Sequence, residues 1–497
     1  MLLHTLLRAL DPAISLATIP NCKVRTVQED SRKVGTGDLF VARLGAKSDG
    51  SRYAADAAAR GAVAVVTQQR IAGCTLPQVL VPDASAAASI LANLSFDNPS
   101  HTVKVLGVTG TNGKTTTTYL LRHILARARG KCGVIGTVEI DDGQTRREAD
   151  MTTPSAVDVA RLLADMRTNH CKAAAIEVSS HALDQGRCAG VRFAAAGFTN
   201  LTGDHLDYHK TPENYAAAKA RLFESLEEDA VAVVNAASDW TWRMLRDCKA
   251  RVARFGFTDG CDYRARDFKI TAEGTHFILR TPDGEAEVHM AMIGRHNIEN
   301  ALLSAGLACE VFGFSVHQIA AALRDAQGAP GRLQPVRCGQ PFAVLVDYAH
   351  TDDALQNVLT ALRPLCKGKL RVLFGCGGDR DATKRPRMAR IAQQHADALY
   401  ITSDNPRTED PQSIIDQIRA GLSNGGGLNI SIHEHLDRRA AIAHVLSHAE
   451  EGDVVLLAGK GHENYQIIGT EKRHFDDAEE ATRVLQSRAV GLLPAVS

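Results

Sequence analysis

The sequence predicts an α/β protein of three domains: a small N-terminal α/β domain, a central P-loop ATPase-like α/β domain and a C-terminal Rossmann-like doubly wound domain. Three observations carry that prediction. The chain has 497 residues, too many for one core at the usual ~100–200 residues per domain. Around residue 110 an apolar strand runs into a glycine-rich loop and then a helix. In the last third, one pattern recurs four times: a buried run, then polar or glycine-rich residues, with helical segments between.

Composition narrows the class. Lys+Arg and Asp+Glu both number 57, so net charge gives no argument for nucleic acid or an anionic membrane, and any anion must be gripped locally. The eleven cysteines form no C-x-x-C pair, which speaks against a zinc site or disulfide framework and suits a reducing cytosol. The opening "MLLHTLLRALDPAISLATIP" is interrupted by His4, Arg8 and Asp11. It reads as an amphipathic helix of a cytoplasmic protein with no membrane span.

The elements follow in order. Residues 1–100 alternate short apolar runs ("DLFVARL", "AVAVVT", "QVLVP") with Ala-rich helical stretches, and "DNPSHT" reads as a linker. The second domain, 101–332, opens on the strand "VKVLGVTG". Its later part alternates like antiparallel strands, with turns at Thr258-Asp259-Gly260 and Pro282-Asp283-Gly284. "GAPGRLQPV" marks the next boundary. The third domain, 333–497, carries the runs "FAVLVDYAH", "LRVLFGCGGDR", "ALYITSDNPR" and "DVVLLAGKGHE". A doubly wound parallel sheet binds ligands outside the carboxyl ends of its strands. That rule puts His350, Arg380, Arg407 and Glu463 on one rim.

The strongest chemical signal is "GVTGTNGKTTTT", Gly107 to Thr118. Gly110 and Gly113 let backbone N–H groups face a phosphate, and the helix N-terminus adds its dipole. Lys114 is placed to reach the outer phosphates and the Thr115 hydroxyl to bind Mg²⁺. Val108 stands where the strict G-x-x-x-x-G-K-T spacing has its first glycine. Downstream, the strand ending at Glu177 offers a second Mg²⁺ contact, since Mg²⁺ prefers oxygen and few carboxylates. Alone, Glu177 reads better as a strand cap, but "NLTGDHLDYHKTPENYAAAKARLF" adds Asp204, His205, Asp207, His209 and Lys219. His205 and His209 also have a zinc-like spacing without an evident third ligand, so magnesium is preferred. A guanine-reading Asn/Thr-Lys-x-Asp and the His-Arg-Asp and Asp-Phe-Gly pair of kinases are both absent from the sequence.

Together "TGTNGKTTT", "EVSSHALDQGR", "NLTGDHLDYH", the lysine of "YAAAK", "GRHNIENAL", "DYAHTDDAL" and "AGKGHE" resemble the ATP-dependent Mur ligases of peptidoglycan synthesis. The variant glycine spacing is that family's form, and the resemblance runs through nearly the whole chain in order. It implies an ATP-binding set of Gly110, Thr111, Asn112, Gly113, Lys114, Thr115, Thr116, Asn297, Arg332, Asp347 and His350. Glu29, Ser31, Ala46, Lys47 and Ser48 are implied for the uridine nucleotide, and Thr152, Thr153, Ser179, Gln185 and Arg187 for the sugar-peptide. Thr115, Glu177, His205 and Lys219 are implied around Mg²⁺, with Lys219 carbamylated by CO₂. Composition alone favours an ordinary exposed helix lysine at 219.

The N-terminal "EDSRKVGTGDLFVARLGAKSDGSRYA" and the "DNPR" turn imply the branch of the family that takes meso-diaminopimelate. Arg380, Asp404, Asn405, Pro406, Arg407, Gly459 and Glu463 are implied for that amino acid. The implied reaction joins it to UDP-N-acetylmuramoyl-L-alanyl-D-glutamate through an acyl phosphate formed from ATP, on a monomer. Two rivals stay open: an L-lysine-adding ligase, and a nucleotide-dependent binding protein that does not ligate. The bland reading of Arg407 is a brace for the turn or a partner for Glu409. Three residues depart from the family pattern: Met151 for a common Asn, Gln334 for Glu, and Asp352 for Pro.

Overall fold

The computed structural model describes residues 1–45, 49–128, 130–271, 273–423 and 430–489. The chain groups into two compact units. One is Met1–Arg266 with Ile278–Ala286 and Glu299–Leu323, the other Asp267–Phe277 with Glu287–Ile298 and Arg324–Ser497.

In the first unit, strands Val27–Gln28, Leu39–Ala42, Ala64–Thr67 and Gln78–Leu80 form a parallel sheet in sequence order. They coincide with the apolar runs. Asp83 starts the helix Ala84–Ser95 by accepting from the Ser85 and Ala86 N–H groups, as N-cap residues do. Its buried alanines share a core with the sheet and with Leu3, Leu6 and Leu7. The N-terminal helix is shorter than expected, Leu3–Leu10. Pro12 explains this, because the residue before a proline is pushed out of the helical region.

An eleven-stranded sheet follows. Its parallel core runs in the order Arg251–Gly256, Val231–Asn235, Phe193–Phe198, Lys104–Thr109, Ala173–Glu177, Cys132–Ile135. Lys104–Thr109 is therefore flanked on both sides, and the loop after it opens between the carboxyl ends of two neighbours. The helix beyond that loop, Lys114–Ala128, buries Leu120, Leu121, Ile124 and Leu125. One expectation is corrected here. Phe255 and Gly256 pair in parallel with Tyr263 and Arg264, so Thr258-Asp259-Gly260 does not close a hairpin. Asp262 instead exchanges hydrogen bonds with the Arg254 backbone, accepting at 2.7 Å and donating at 2.9 Å. Alternation reports that a strand exists, not the direction of its neighbour. Pro282 and Asp283 do turn the chain between strands Gly274–Thr281 and Gly284–Met290.

In the second unit the sheet order is Gln334–Pro335, Ala343–Asp347, Val454–Ala458, Leu370–Phe374, Ala398–Thr402, Ser431–His435, all parallel except the first. Four of these strands are the expected ones. Ser431–His435 was not expected: as an exposed edge strand, "SIHEH" has no continuous apolar run. Helices cover both faces, giving two cores. Asp410 and Pro411 end the "SDNPRTEDP" turn by starting the helix Pro411–Arg419, where proline is favoured at the first position.

Arg438 and Asp477 are both fully buried. The guanidinium donates to the carboxylate at 2.8 and 2.6 Å and to the Ala458 carbonyl at 3.0 Å. This ties two helices to the end of a rim-bearing strand. Arg438→Ala should cost about 3–5 kcal/mol, because it strands a buried carboxylate. Urea unfolding followed by circular dichroism measures it, and a loss below ~1 kcal/mol, the range of an exposed pair, rejects this role.

Candidate active site

At the carboxyl end of Lys104–Thr109 the chain turns through Gly110 and Gly113, with φ of +148° and +88°. No side chain fits at either. A Cβ on Gly110 would stand 1.9 Å from Thr199 Oγ1, and one on Gly113 2.4 Å from Asn300 Oδ1. Thr199 and Asn200 follow the neighbouring strand Phe193–Phe198 and brace the loop. The Asn200 carbonyl accepts from Thr111 N–H at 2.9 Å, and its side-chain oxygen from Asn112 N–H at 3.0 Å. Lys114 folds back onto the Gly110 and Thr111 carbonyls at 2.9 and 2.8 Å. Thr115 and Thr116 are buried in the helix's first turn.

Glu177 ends the strand on the other side and is fully buried. It accepts from Thr115 Oγ1 at 3.0 Å, and from Thr137 N–H and Oγ1 at 2.9 Å each. Thr137 Oγ1 also meets Thr152 Oγ1 at 3.0 Å. Thr153 Oγ1 donates to the Glu177 carbonyl at 2.7 Å and accepts from Ser179 N–H at 3.0 Å. Arg187 donates to the Thr153 carbonyl at 2.6 Å and to Gln185 Oε1 at 2.8 Å. One hydrogen-bonded line thus runs from the phosphate loop to Thr152. A buried carboxylate beside a hydroxyl is a hard oxygen donor set that fits Mg²⁺.

Lys219 lies on the helix Pro212–Glu224, started by Thr211 and Pro212. It is not the exposed lysine that composition favours: it is 1% exposed. Its Nζ donates to the same Gly110 carbonyl at 2.8 Å and sits 4.3 Å from the Tyr215 ring centre. Burial, then the charge of Lys114, drive its pKa well below the ordinary lysine value. His205 has a left-handed backbone, φ +55°, and its ring lies 4.9 Å from that of His181. Burial is the main cause holding the His205 pKa below its usual value. His209 is turned away to Ser180 Oγ at 3.0 Å, which weakens the zinc alternative.

A cavity of about 840 Å³ is lined by Glu29, Ser31, Arg32, Tyr53, Met151 and Asp158, among others. Glu29 pairs with Arg43 at 2.8 Å. Of the residues expected at the uridine nucleotide, Glu29 and Ser31 are here. Ala46, Lys47 and Ser48 lie outside the described residues.

In the second unit, Asp347 accepts from Leu333 N–H at 2.7 Å and Ala349 N–H at 2.8 Å. The Arg332 guanidinium lies 4.9 Å from the Tyr348 ring, and His350 Nδ1 meets the Tyr348 carbonyl at 2.9 Å. Burial raises the Asp347 pKa and lowers that of His350. Asn297, also buried, donates to the Ile293 carbonyl at 2.8 Å.

The "DNPR" turn packs on the loop Gly375–Arg380. Cβ atoms on Gly375 and Gly378 would stand 2.2 and 1.9 Å from the Thr402 and Pro406 carbonyl oxygens. Arg407 adopts φ +52°, costly for a side-chain-bearing residue, and donates to the Gly378 carbonyl at 2.7 Å. It does brace the turn, but Glu409 is engaged by Arg385 at 2.8 Å instead. Arg380 is exposed nearby. Asn405 donates to Glu463 at 2.8 Å. Buried Lys460 lies 3.4 Å from Glu463 and 3.9 Å from Asp404, and a Cβ on Gly459 would meet Asp404 at 3.0 Å. Two carboxylates thus stand against one buried lysine.

Sequence reading missed Thr137, Lys460, Arg385 and Arg43. Lys460 stood inside "AGKGHE" and was legible there. Thr137 and Arg43 gave no motif signal.

Comparison with known proteins finds three family descriptions along the chain. "Mur ligase family, catalytic domain" matches residues 23–94, "Mur ligase middle domain" 108–308, and "Mur ligase, glutamate ligase domain" 331–461. The chain is 42% identical over 491 residues to the UDP-N-acetylmuramoyl-L-alanyl-D-glutamate--2,6-diaminopimelate ligase of Gloeobacter violaceus, covering 98% of this chain and 99% of that one. It is 42% identical over 474 residues to the same-named enzyme of Geobacillus kaustophilus, with 94% and 96% covered. A solved structure of that name superposes with a TM-score of 0.72 at 33% identity, over 97% of this chain and 99% of the other.

Burial, followed by the charge of Asp404, raises the Glu463 pKa above the ordinary glutamate value, Lys460 offsetting only part. A carboxyl whose folded pKa exceeds its unfolded one stabilises the fold below the unfolded pKa, and that contribution is lost as pH rises through the folded value. At neutral pH the charge is a burden in the ligand-free protein. Glu463→Gln should therefore melt higher than wild type at pH 7, with the gap closing towards pH 4. A lower melting temperature at pH 7 contradicts this balance.

Proposed function

We propose, from the premise that this chain belongs to the Mur ligase family, that it is an ATP-dependent ligase adding meso-diaminopimelate to UDP-N-acetylmuramoyl-L-alanyl-D-glutamate. The observation that carries this reading is the line Thr115–Glu177–Thr137–Thr152. It connects a phosphate-binding loop with the residues assigned to the acceptor, as transfer of a phosphoryl group onto a substrate carboxylate requires. The domains 1–100, 101–332 and 333–497 divide the work among the UDP end, ATP and the amino acid.

The free carboxylate of the D-glutamyl residue attacks the γ-phosphorus of ATP, and ADP leaves. The amine of diaminopimelate then attacks the acyl phosphate, phosphate departs, the nitrogen loses a proton and an amide remains. Such transfer depends on positioning and charge stabilisation. The N–H groups of Gly110 to Thr116 and the Lys114 ammonium receive the phosphates. Asn297, Arg332, Asp347 and His350 are assigned to the rest of ATP. Thr115, Glu177 and His205 would hold Mg²⁺, which when bound supplies charge neutralisation at the phosphoryl oxygens. Glu29 and Ser31 are assigned to the uridine nucleotide, and Thr152, Thr153, Ser179, Gln185 and Arg187 to the sugar-peptide.

Two features support carbamylation of Lys219. CO₂ adds only to a neutral amine, and burial shifts Lys219 toward that form. The carbamate so formed is an anion, relieving the juxtaposition with Lys114. Cytoplasmic work as a monomer is supported by substrates soluble in water and by one chain carrying every group assigned a role.

Diaminopimelate exceeds lysine by one carboxylate, on the stereocentre away from the attacking amine. Arg380 and Arg407 suit that carboxylate, since a planar fork matches it where lysine is a point charge. Asp404 and Glu463, with Asn405, suit its ammonium. Pro406 and Gly459 hold the loops at close range.

Lys219→Ala should lose most ligation and recover part with added short carboxylic acids. Wild type in ¹³C-bicarbonate should show a carbamate carbon signal that Lys219→Ala lacks. Full activity in the variant, or no such signal, removes the carbamate from the mechanism. In an ADP-release assay, diaminopimelate should support turnover, and lysine should lag by up to ~10⁴-fold, because it leaves the arginines unpaired. Arg407→Ala should reduce kcat/KM for diaminopimelate by roughly 10- to 150-fold, the value of one charge-assisted hydrogen bond. Equal use of lysine, or ADP release independent of any amine, refutes the assignment.

A further inference from the structure

Far along the chain from the phosphate loop, strands Gly274–Thr281 and Gly284–Met290 bring together three side chains that the ligase chemistry does not use. His276 comes from one strand, Glu287 and His289 from the other. Side chains two apart on a strand share a face, so Glu287 and His289 project together, and the His276 ring lies 4.3 Å from that of His289 at 30°. Glu287 Oε2 is 3.9 Å from Nε2 of each histidine. One donor atom from each residue lies within 4.8 Å of the others.

These distances are too long for hydrogen bonds, so the three groups gather without satisfying one another. The His276 Nε2 atom in particular is buried and, among the described residues, has no hydrogen-bond partner, an uncommon state for a buried polar atom. A tetrahedral ion with ~2.0–2.2 Å bonds needs its donors about 3.4 Å apart. Glu287 and His289 are exposed, so their side chains have room to turn towards that spacing. We propose that His276, Glu287 and His289 form a binding site for a divalent transition metal of the Zn²⁺ type, with its fourth position open to water. Two imidazoles and one carboxylate are a donor set for Zn²⁺, Ni²⁺ or Cu²⁺, whereas Mg²⁺ selects oxygens. It shares no donor with Thr115 and Glu177. Metal bound there clips the two strands together, binds the folded hairpin only, and so stabilises it by mass action.

The test uses the full-length protein, stripped with a chelator and kept in saturating Mg²⁺. Zn²⁺ is titrated against a chromophoric chelator, and Co²⁺ is followed by its visible absorption. Wild type should bind one more Zn²⁺ than His276→Ala/His289→Ala and show a tetrahedral Co²⁺ spectrum that the double variant lacks. Glu287→Gln should keep the stoichiometry but bind at least ~10-fold more weakly, having lost one of three ligands. Zinc should raise the melting temperature of wild type above that of the double variant, while without zinc the two melt alike. His289→Gln, a single change at an exposed position, should lose the same zinc equivalent. Equal stoichiometry and affinity in wild type and both histidine variants overturns the proposal, as does complete displacement by Mg²⁺.

Discussion

The Gly110 carbonyl accepts hydrogen bonds from two lysines, Lys114 at 2.9 Å and Lys219 at 2.8 Å, and the first unit's chemistry is built around that convergence. The acceptor exists only because residue 110 has no side chain. At φ +148° its Cβ would strike Thr199, and moving the loop away would carry the carbonyl from both amines. Two ammonium groups sharing one dipole repel each other. The fold resolves this by burying Lys219 completely, so that its neutral form is favoured. Lys114, at the first position of the following helix, is the second donor to that carbonyl.

The second unit solves the opposite problem. It gathers Asp404 and Glu463 around the fully buried Lys460. An unmatched buried carboxylate is expensive, and the raised Glu463 pKa records that expense. The left-handed Arg407 is held by its neighbours: its N–H donates to the Ile467 carbonyl at 3.1 Å and its carbonyl accepts from Gly469 at 2.8 Å. Arg385, fully buried, fixes the loop from beneath by donating to the Gly377 carbonyl and to Glu409. Strain at such a residue persists where surrounding contacts over-determine it.

Asp352, Gln334 and Met151, the three residues that the sequence analysis sets apart, each make a local contact. Asp352 is the first residue of the helix Asp352–Leu362 and pairs with Arg387 at 2.6 Å; a carboxylate there complements the helix dipole. Gln334 Oε1 accepts from Gly331 N–H at 2.8 Å, in a turn where a Cβ on Gly331 would collide with Gly461. Met151 sets its sulfur 3.8 Å from the Arg187 guanidinium, at the wall of the cavity that Glu29 and Ser31 line.

Legibility in the sequence followed the range of the interaction. The glycine loop, the buried face of the helix after it and the four strands with polar ends were readable, because each is written in neighbouring residues. What the sequence did not contain was the side of a strand on which its neighbour lies. The parallel pairing of Phe255 with Tyr263, the edge strand Ser431–His435, and the burial of a lysine in an Ala-rich helix all depend on sheet order, which is settled by packing between distant segments. Thr137 became a site residue only when sheet order set Cys132–Ile135 beside Ala173–Glu177, bringing the start of the following loop against the Glu177 carboxylate. Sequence alone determined which chemistry each loop could offer. Tertiary structure decided which of those groups share a desolvated space, and so which charges survive there, because burial and Coulomb interaction act on distance in space rather than on distance along the chain.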